Sequence, residues 1–312
     1  MQYKNTHLLS PGHRGCAGCG QLLAARHVVD ALGKNTIVAC ATGCLEVTTT
    51  PYPESAWRVP WIHSLFENAP AVATGILSAL KAKGVANFSS RQLERRLKSA
   101  TPPVNTNVAV FAGDGSTFDI GFGALSGLWT RRDNILYVCF DNEAYMNTGN
   151  QYSGATPYGS ATETSSANDS LGNDFFKKNM PKIAAAHNVS YIATSTIGYP
   201  EDIVAKVKKS LTFCGPRYIQ ILVGCVPGWG YNPELTIELG RLAHQSGHYP
   251  VLEIENGKLS KVMKVPAKRP QVEEYLKPQK RFSHLFKTDC GKEKIKQMQC
   301  LADQNVERYG LV

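Results

Sequence analysis

Two short polar segments follow apolar stretches in a way that suits the binding of a phosphorylated ligand. Gly113-Asp114-Gly115 ends residues 108–113 (VAVFAG), and Asp141-Asn142 ends residues 135–141 (ILYVCFD). Glycines let a backbone approach a phosphate closely, and the helix expected next would offer amide hydrogens to an anion. Asp and Asn oxygens are ligands of Mg²⁺, which keeps phosphate oxygens in its shell. We therefore predict a diphosphate and Mg²⁺ site.

The spacing between the two segments narrows the ligand further. A Gly-Asp-Gly alone is often no more than a turn between a strand and a helix. Here about 25 residues separate it from an Asn that follows an apolar strand, and this combination is typical of thiamine-diphosphate sites. Both segments should reach the carboxyl edge of a parallel sheet, where open α/β sheets bind ligands. We therefore expect thiamine diphosphate and Mg²⁺ at Asp114 and Asn142.

The nine cysteines are unevenly spread. Cys16 and Cys19 form a Cys-x-x-Cys pair before a predicted helix, Cys44 follows the first predicted strand, and Cys225 follows the last. The first residues lack the apolar core of a signal peptide, so we expect a cytoplasmic protein with reduced thiols. These four cysteines then fit a [4Fe–4S] cluster or a Cys₄ zinc site. One pair with two isolated cysteines favours the cluster, because zinc sites usually use two pairs.

Strand-like and helix-like patterns alternate along the chain, which is typical of an α/β fold with a mostly parallel sheet and helices on both faces. Residues 84–107 are expected to form a surface insertion, and residues 143–173, rich in Gly, Ser, Thr and Asn, a binding loop. Cys139 and Cys214 are expected in the core. Strands are predicted at 36–41, 108–113, 135–141, 191–196 and 218–223, and helices at 21–32, 69–83, 119–130, 175–187, 200–212 and 233–245.

The last part of the chain carries most of its charge. Residues 258–312 contain 13 Lys/Arg against 6 Asp/Glu and so supply +7 of the net +9. After a domain spanning 1–248, we expect 249–312 to form a hairpin at Asn256-Gly257 and then an extended basic arm. An acidic partner subunit or plain solvation explains this charge better than nucleic acid does. The sequence shows no apolar run of the length that a membrane helix needs.

At these motifs the chain resembles the β subunits of 2-oxoacid:ferredoxin oxidoreductases, most of all those of the pyruvate branch. The resemblance covers roughly residues 8–285. Its blocks follow one another in order: GHRGCAGCG (12–20), ATGCLEV (41–47), YPESAWRVPWIHSLFENA (52–69), GDGSTFDIGFGALSG (113–127), DNEAYMNTGNQ (141–151), ATPYG (155–159), CVPGW (225–229) and EEYLKPQKRF (273–282).

The resemblance implies a thiamine-diphosphate-binding fold and assigns roles to individual residues. Asn147 would lie beside the thiazolium, where the 2-oxoacid binds, and Thr42 and Gly43 would contact the cofactor. The remaining roles are the [4Fe–4S] ligands Cys16, Cys19, Cys44 and Cys225, the Mg²⁺ ligands Asp114, Asn142 and the carbonyl of Ala144, and the diphosphate turn at Gly113 and Gly115.

Two positions depart from the family pattern. Gln21 stands where several relatives have Glu, so an acid is missing there. Gly230 ends a Cys-Val-Pro-Gly-Trp-Gly run where Arg is commoner, so a cation near the cluster ligand is missing. Neither change removes a ligand, but both leave the identity of the substrate open.

The resemblance also implies a function. A small 2-oxoacid, with pyruvate favoured, would be oxidatively decarboxylated, its acyl group passing to coenzyme A and its electrons through the [4Fe–4S] cluster to ferredoxin. No residue stands out as the carboxylate that activates the aminopyrimidine. In the family this carboxylate comes from a partner subunit, so the resemblance implies that activity requires α-, γ- and δ-type partner subunits. The alternatives are an oxalate oxidoreductase β subunit that needs no coenzyme A, a non-oxidative thiamine decarboxylase with structural zinc, and a cluster-binding subunit without catalysis.

Overall fold

The computed structural model describes residues 7–83, 106–167 and 171–312. Eight strands form one sheet in the order β2-β1-β3-β4-β6-β5-β7-β8. Neighbours from β2 to β5 pair in parallel, and β7 and β8 continue the sheet in antiparallel pairing. The strands are β1 (Thr36–Cys40), β2 (Trp61–His63), β3 (Asn107–Gly113), β4 (Leu136–Asp141), β5 (Tyr191–Thr196), β6 (Arg217–Leu222), β7 (Leu252–Glu255) and β8 (Lys258–Val262).

Helices cover both faces of the sheet, as the alternating pattern predicted. Residues of α1 and α6 share one buried core with Phe111 of β3, whereas residues of α3, α4 and α5 share another with Val110. The two neighbours point to opposite faces because side chains alternate along a strand. The helices are α1 (Gly20–Leu32), α2 (Cys44–Thr49), α3 (Ala69–Ala82), α4 (Phe122–Thr130), α5 (Met180–Ala186), α6 (Pro200–Ser210), α7 (Val226–Trp229), α8 (Thr236–Gln245), α9 (Val272–Leu276) and α10 (Asp289–Tyr309).

The prediction of an extended C-terminal arm is wrong. After the predicted hairpin, formed by β7 and β8 around Asn256-Gly257, the chain forms α9, a 3₁₀ segment (Lys280–Phe286) and the 21-residue helix α10. Met298 and Ala302, four residues apart, lie on one face of α10 and are buried, because this spacing brings them to the same side of a helix. They share a core with residues of α8 and α9, so the segment packs on the body of its own chain.

Two local expectations also changed. The helix predicted from residue 175 begins at Met180, because the side chain of Asn179 accepts a hydrogen bond from the amide of Lys182 and Pro181 occupies the first turn. The insertion predicted at 84–107 lies almost entirely outside the described residues. Among the described helices, none combines the length and the apolar character needed to cross a bilayer.

Candidate active site

The carboxyl ends of β1, β3 and β4 open into one cavity. These three strands are direct neighbours in the sheet, so the residues that follow them meet at one edge. The cavity is lined by all eight residues that the sequence assigned to the cofactor and the substrate: Thr42, Gly43, Gly113, Asp114, Gly115, Asn142, Ala144 and Asn147.

Three oxygens converge on one side of this cavity. The carboxamide oxygen of Asn142 lies 2.9 Å from Oδ1 of Asp114 and 2.8 Å from the carbonyl oxygen of Ala144. Octahedral Mg²⁺ holds its ligands at about 2.0–2.1 Å, which places neighbouring ligand oxygens about 2.9 Å apart. Without a cation, the side-chain carboxamide of Asn142 would rotate so that its NH₂ group donates hydrogen bonds to both oxygens. With a cation present, the observed orientation would instead present the carboxamide oxygen to the ion. The three groups therefore fit a magnesium ion.

The surroundings of Asp114 favour a counter-charge. Burial raises the pKa of its carboxyl well above the usual range, and the nearby carboxylate of Asp141 raises it further. The hydroxyl of Ser153 donates to Oδ2 of Asp114 at 2.5 Å. The backbone N–H of Asn142 donates to Oδ1 of Asp114 at 3.3 Å. A divalent cation beside this carboxylate would offset the cost of burying its charge. Ser153 comes from the Gly- and Ser-rich segment predicted as a binding loop.

The helix after the Gly-Asp-Gly turn begins earlier than predicted. A π-helical turn (Gly115–Ile120) follows Asp114 directly, and α4 continues it. A side chain at position 115 would lie 2.3 Å from the ring of Tyr145, whose hydroxyl donates to the carbonyl of Gly115 at 3.1 Å. Only glycine fits this contact, which fixes the Gly113-Asp114-Gly115 turn against the segment after β4.

The four predicted cluster ligands line a second cavity of about 230 Å³. Cys16 and Cys19 lie in the loop before α1, Cys44 begins α2, and Cys225 directly precedes α7. The amide of Gly20 donates to the carbonyl of Gly224 at 3.2 Å, which joins the Cys19 loop to the Cys225 loop.

In the described parts of the chain, the four thiols are not arranged as the ligands of one bound metal ion. Within 7–83, 106–167 and 171–312, no three His, Cys, Asp or Glu side chains converge as such an ion requires. A Cys₄ zinc site needs every sulfur about 2.3 Å from one centre, whereas an iron–sulfur cluster fills the space between sulfurs that lie farther apart. Burial raises the pKa of Cys225 to about 11 and that of Cys44 to about 12, and the other cysteines add to both shifts. Binding as thiolates therefore requires a cationic partner, either a metal ion or an iron–sulfur cluster.

The two cavities share a wall. Met146 packs against the turn after Cys225, since a side chain at Gly228 would lie 2.2 Å from its sulfur and 3.2 Å from that of Cys225. Asn147 is exposed and reaches both cavities. A group bound in one cavity is thus separated from a group in the other by single side chains. The residues common to both linings are Gln21, Cys44, Asn142, Met146 and Asn147.

A short polar chain lies behind Thr42. The hydroxyl of Thr42 lies 2.9 Å from Nε2 of His63, the last residue of β2, and donates to the carbonyl of Ser64 at 3.2 Å. Nδ1 of His63 lies 3.8 Å from a carboxylate oxygen of Glu46. His63 therefore touches Thr42, a residue that lines the cofactor cavity. The parallel pairing of β2 with β1, in register at His63 and Cys40, places it there.

A cation near Cys225 comes from a distant part of the chain. The guanidinium carbon of Arg281 lies 3.9 Å from the centre of the Trp229 ring, and its positive charge lowers the pKa of Cys225 against the effect of burial. Gly230 has φ +69°, and a side chain there would lie 2.5 Å from Cβ of Lys280. The segment that carries Lys280 and Arg281 therefore occupies the place beside Gly230 and supplies a cation where the motif lacks one. No local sequence pattern pointed to Arg281.

The other five cysteines do not line the second cavity. Cys139 is buried in β4, as expected. Cys214 is exposed, which contradicts the prediction, because it lies in the turn between α6 and β6. Cys40 is buried and contributes to the cofactor cavity, and Cys290 and Cys300 are exposed on α10.

Comparison with known proteins agrees with this geometry. A model of the thiamine pyrophosphate enzyme C-terminal TPP-binding domain matches residues 41–221, which run from the end of β1 into β6. Pyruvate synthase subunit PorB of Methanocaldococcus jannaschii is 50% identical over 312 residues, covering 100% of this chain and 99% of its own. The same subunit of Methanothermobacter thermautotrophicus is 52% identical, covering 91% and 93%. The chain belongs to the 2-oxoacid:ferredoxin oxidoreductase β-subunit family. Members of this family are subunits of oxidoreductases.

Proteins with lower sequence identity to this chain are also 2-oxoacid oxidoreductases or their subunits. The ketoisovalerate oxidoreductase subunit VorB of Pyrococcus abyssi is 40% identical and covers 89% of this chain and 86% of its own. A solved 2-oxoglutarate:ferredoxin oxidoreductase from Magnetococcus marinus, with 2-oxoglutarate, coenzyme A and succinyl-CoA bound, matches with a TM-score of 0.55 at 19% identity, covering 89% of this chain and 90% of that chain. This last similarity shows a shared fold. The named substrates differ among the relatives, so family membership does not fix the 2-oxoacid.

Proposed function

We propose that this chain is the β subunit of a cytoplasmic pyruvate:ferredoxin oxidoreductase that binds thiamine diphosphate, Mg²⁺ and one [4Fe–4S] cluster. The single observation that carries the proposal is the shared wall between two cavities, one lined by the predicted cofactor residues and the other by four cysteines. Pyruvate is favoured over other 2-oxoacids because the two PorB relatives, at 50% and 52% identity, are more similar to this chain than the VorB relative at 40%.

Each group of residues has a defined task in this proposal. Asp114, Asn142 and the carbonyl of Ala144 hold Mg²⁺, and the turn from Gly113 to Gly115 lets the backbone approach the diphosphate. Thiamine diphosphate supplies the electron sink for decarboxylation, and the cluster supplies a one-electron acceptor. The fixed turn orients the cofactor relative to the substrate, and such positioning lowers the barrier of the reaction.

Asn147 and Gln21 line the wall between the cavities. Asn147 is exposed to the cavity, and we assign it to the 2-oxoacid, whose carboxylate and carbonyl an amide can hydrogen-bond. Gln21 is only 6% exposed and is neutral. Without a carboxylate at this position, the wall carries one fewer negative charge to repel the anionic substrate or the reduced cluster.

The cavity is incomplete without another subunit. Asp114 is the only carboxylate among the described residues that line it, and Asp114 is committed to the cation. As the family resemblance implies, we assign the acid that activates the aminopyrimidine to α-, γ- or δ-type partners, and the chain alone should be inactive. Ferredoxin as electron acceptor and coenzyme A as acyl acceptor complete the proposed reaction.

The proposal can be tested by anaerobic co-expression of this chain with its partner subunits. The complex should contain thiamine diphosphate, iron and acid-labile sulfide, and it should reduce a viologen dye or ferredoxin with pyruvate in a reaction that requires coenzyme A. Reduction with oxalate and without coenzyme A would replace pyruvate by oxalate. Zinc in place of iron, or no reduction with pyruvate, 2-oxoglutarate or oxalate, would refute the assignment.

A further inference from the structure

Successive residues at the end of β4 and just after it face two different surroundings, the cofactor cavity and a buried cluster of charges. The carboxamide of Asn142 lies 2.9 Å from Oδ1 of Asp114 and 2.8 Å from the carbonyl oxygen of Ala144, on the side of the cofactor cavity. Asp141 and Glu143, the residues between them, have side chains that are fully buried in a cluster of charges, with 0% and 1% exposed. The orientation of the proposed magnesium ligands therefore depends on what holds Asp141 and Glu143.

Glu143 has a backbone conformation that a non-glycine residue rarely adopts. Its φ is +70°, in the left-handed region, where the Cβ of an L-residue is crowded. Such conformations persist where surrounding contacts over-determine them, and they concentrate at functional sites. Glu143 stands between Asn142 and Ala144, and the carbonyl oxygen of Ala144 lies 2.8 Å from the carboxamide of Asn142.

Two cations clamp the Glu143 carboxylate. Nζ of Lys177 lies 2.9 Å from Oε1 of Glu143 and 2.6 Å from Oδ2 of Asp141. Nη2 of Arg281 lies 2.7 Å from Oε2 of Glu143. The carbonyl of Glu143 is also occupied, because the hydroxyl of Thr156 donates to it at 2.8 Å. Charge-assisted pairs of this kind are among the stronger polar contacts when both partners are buried and hydrogen-bonded.

Arg281 holds the same segment at a second point. Its guanidinium stacks on the ring of Trp229 at 3.9 Å, and Nε1 of Trp229 donates to the carbonyl of Asn142 at 2.8 Å. Arg281 is 5% exposed and lies 138 residues along the chain from Glu143. The C-terminal segment thus fixes both Asn142 and Glu143 from behind the cavity.

We propose that Arg281 is a positioning residue for the divalent cation: by clamping Glu143 and stacking on Trp229, it holds Asn142 and Ala144 toward Asp114 and so sets the affinity for Mg²⁺ and the diphosphate. This inference rests on the proposed function, since it concerns the same cation site. Arg281 does not touch the cation; it acts through the backbone of residues 142–144.

The test measures cation binding rather than turnover. The anaerobically purified complex is freed of divalent cations and titrated with Mg²⁺ in saturating thiamine diphosphate by isothermal titration calorimetry. Arg281→Met, which keeps the length and removes the charge, should weaken Mg²⁺ binding about 10- to 100-fold, as loss of an outer-sphere partner does at other metal sites. Arg281→Lys, which can pair with Glu143 but lacks the planar stacking group, should fall between Met and wild type.

Arg269→Gln is the matched control. Arg269 also anchors the C-terminal segment, through Asp303 at 2.5 Å and the carbonyl of Ser246 at 3.1 Å, but it is not part of the clamp. This variant should bind Mg²⁺ like wild type. Equal weakening by Arg269→Gln would show that general loosening of the segment, and not the clamp, is responsible, and would overturn the inference.

A double variant guards against a failure to fold. Arg281→Met leaves the buried Glu143 carboxylate with one partner fewer, which is destabilising. Glu143→Gln/Arg281→Met removes both charges and should show the same loss of Mg²⁺ affinity. Wild-type affinity in either variant would overturn the inference. A wild-type complex that binds neither Mg²⁺ nor thiamine diphosphate would instead overturn the proposed function.

Discussion

Gly20 lies where the two halves of the proposed cluster site meet, and replacing it by alanine should disturb the cluster more than the fold. Gly20 directly follows Cys19 and begins α1. A Cβ at this position would lie 2.8 Å from the amide nitrogen and 3.0 Å from the carbonyl oxygen of Gly224, the residue before Cys225. Both contacts are with backbone, so no side chain can rotate away to make room.

The size of the effect follows from these distances. An ordinary Cβ contact begins at 3.4 Å, so the Cys19 and Cys225 loops must separate by about 0.6 Å, the difference from 2.8 Å. Overpacking of this kind costs about 1–3 kcal/mol of stability, which a domain of this size can tolerate. Metal sites, in contrast, need their ligand distances kept within about 0.2 Å. Gly20→Ala should therefore fold and lose most of its cluster.

The assay is iron and acid-labile sulfide per chain in anaerobically purified complex, with the EPR spectrum of the reduced cluster. Gly75→Ala is the control, because Gly75 lies inside α3 and a Cβ there meets nothing within 4 Å. That variant should keep its iron and gain about 0.5–1 kcal/mol of stability from the helix propensity of alanine. Wild-type iron content and an unchanged EPR spectrum in Gly20→Ala would refute the idea that this backbone contact sets the distance between Cys19 and Cys225.

Three further predictions concern side chains around the two cavities. His63→Gln should weaken thiamine diphosphate binding about 2- to 10-fold, the value of one net hydrogen bond, because Thr42 loses its partner at 2.9 Å; unchanged binding in a fluorescence titration would contradict this. Met146→Ala should slow reduction of the cluster by pyruvate in stopped-flow absorbance, whereas Met146→Leu, which refills the wall, should not. Burial lowers the pKa of His248 from 6.5 to about 4. As the pH falls, the imidazole is therefore protonated in the unfolded state before it is protonated in the folded state. The contribution of His248 to the free energy of unfolding is complete above pH 6.5 and is lost as the pH falls toward 4. Urea unfolding of His248→Gln should show a weaker loss over this range, and parallel curves for the two proteins would exclude His248 as the cause.

The sequence could predict the parts of the site that follow from the parallel sheet. Apolar strands ending in Gly113-Asp114 and Asp141-Asn142 are local patterns, and parallel neighbours necessarily bring their carboxyl ends to one edge. The family resemblance then supplied Ala144 and the cysteine set, which lie on loops whose direction no local pattern fixes. The spacing of Cys44 and Cys225 says nothing about the gap between their sulfurs.

The rest of the site depends on contacts between distant segments. Arg281 and Glu143 are 138 residues apart, and neither stands in a pattern that requires the other. The basic composition after residue 258 suggested an arm, because Lys residues obscure the helical spacing of Met298 and Ala302. A positive φ at Glu143 is equally invisible in sequence, since glycine or asparagine would be the expected residue there.

Trp229 contacts one residue from the lining of each cavity and so fixes their relative positions. Its backbone amide donates to the carbonyl of Cys225 at 2.8 Å, and its indole donates to the carbonyl of Asn142 at 2.8 Å. One rigid side chain, 1% exposed, therefore ties a proposed cluster ligand to a proposed magnesium ligand. Electron transfer between two cofactors is most reliable when neither can move relative to the other. Within the wall, exposed Asn147 has more room to move than Asn142, whose carbonyl the Trp229 indole holds.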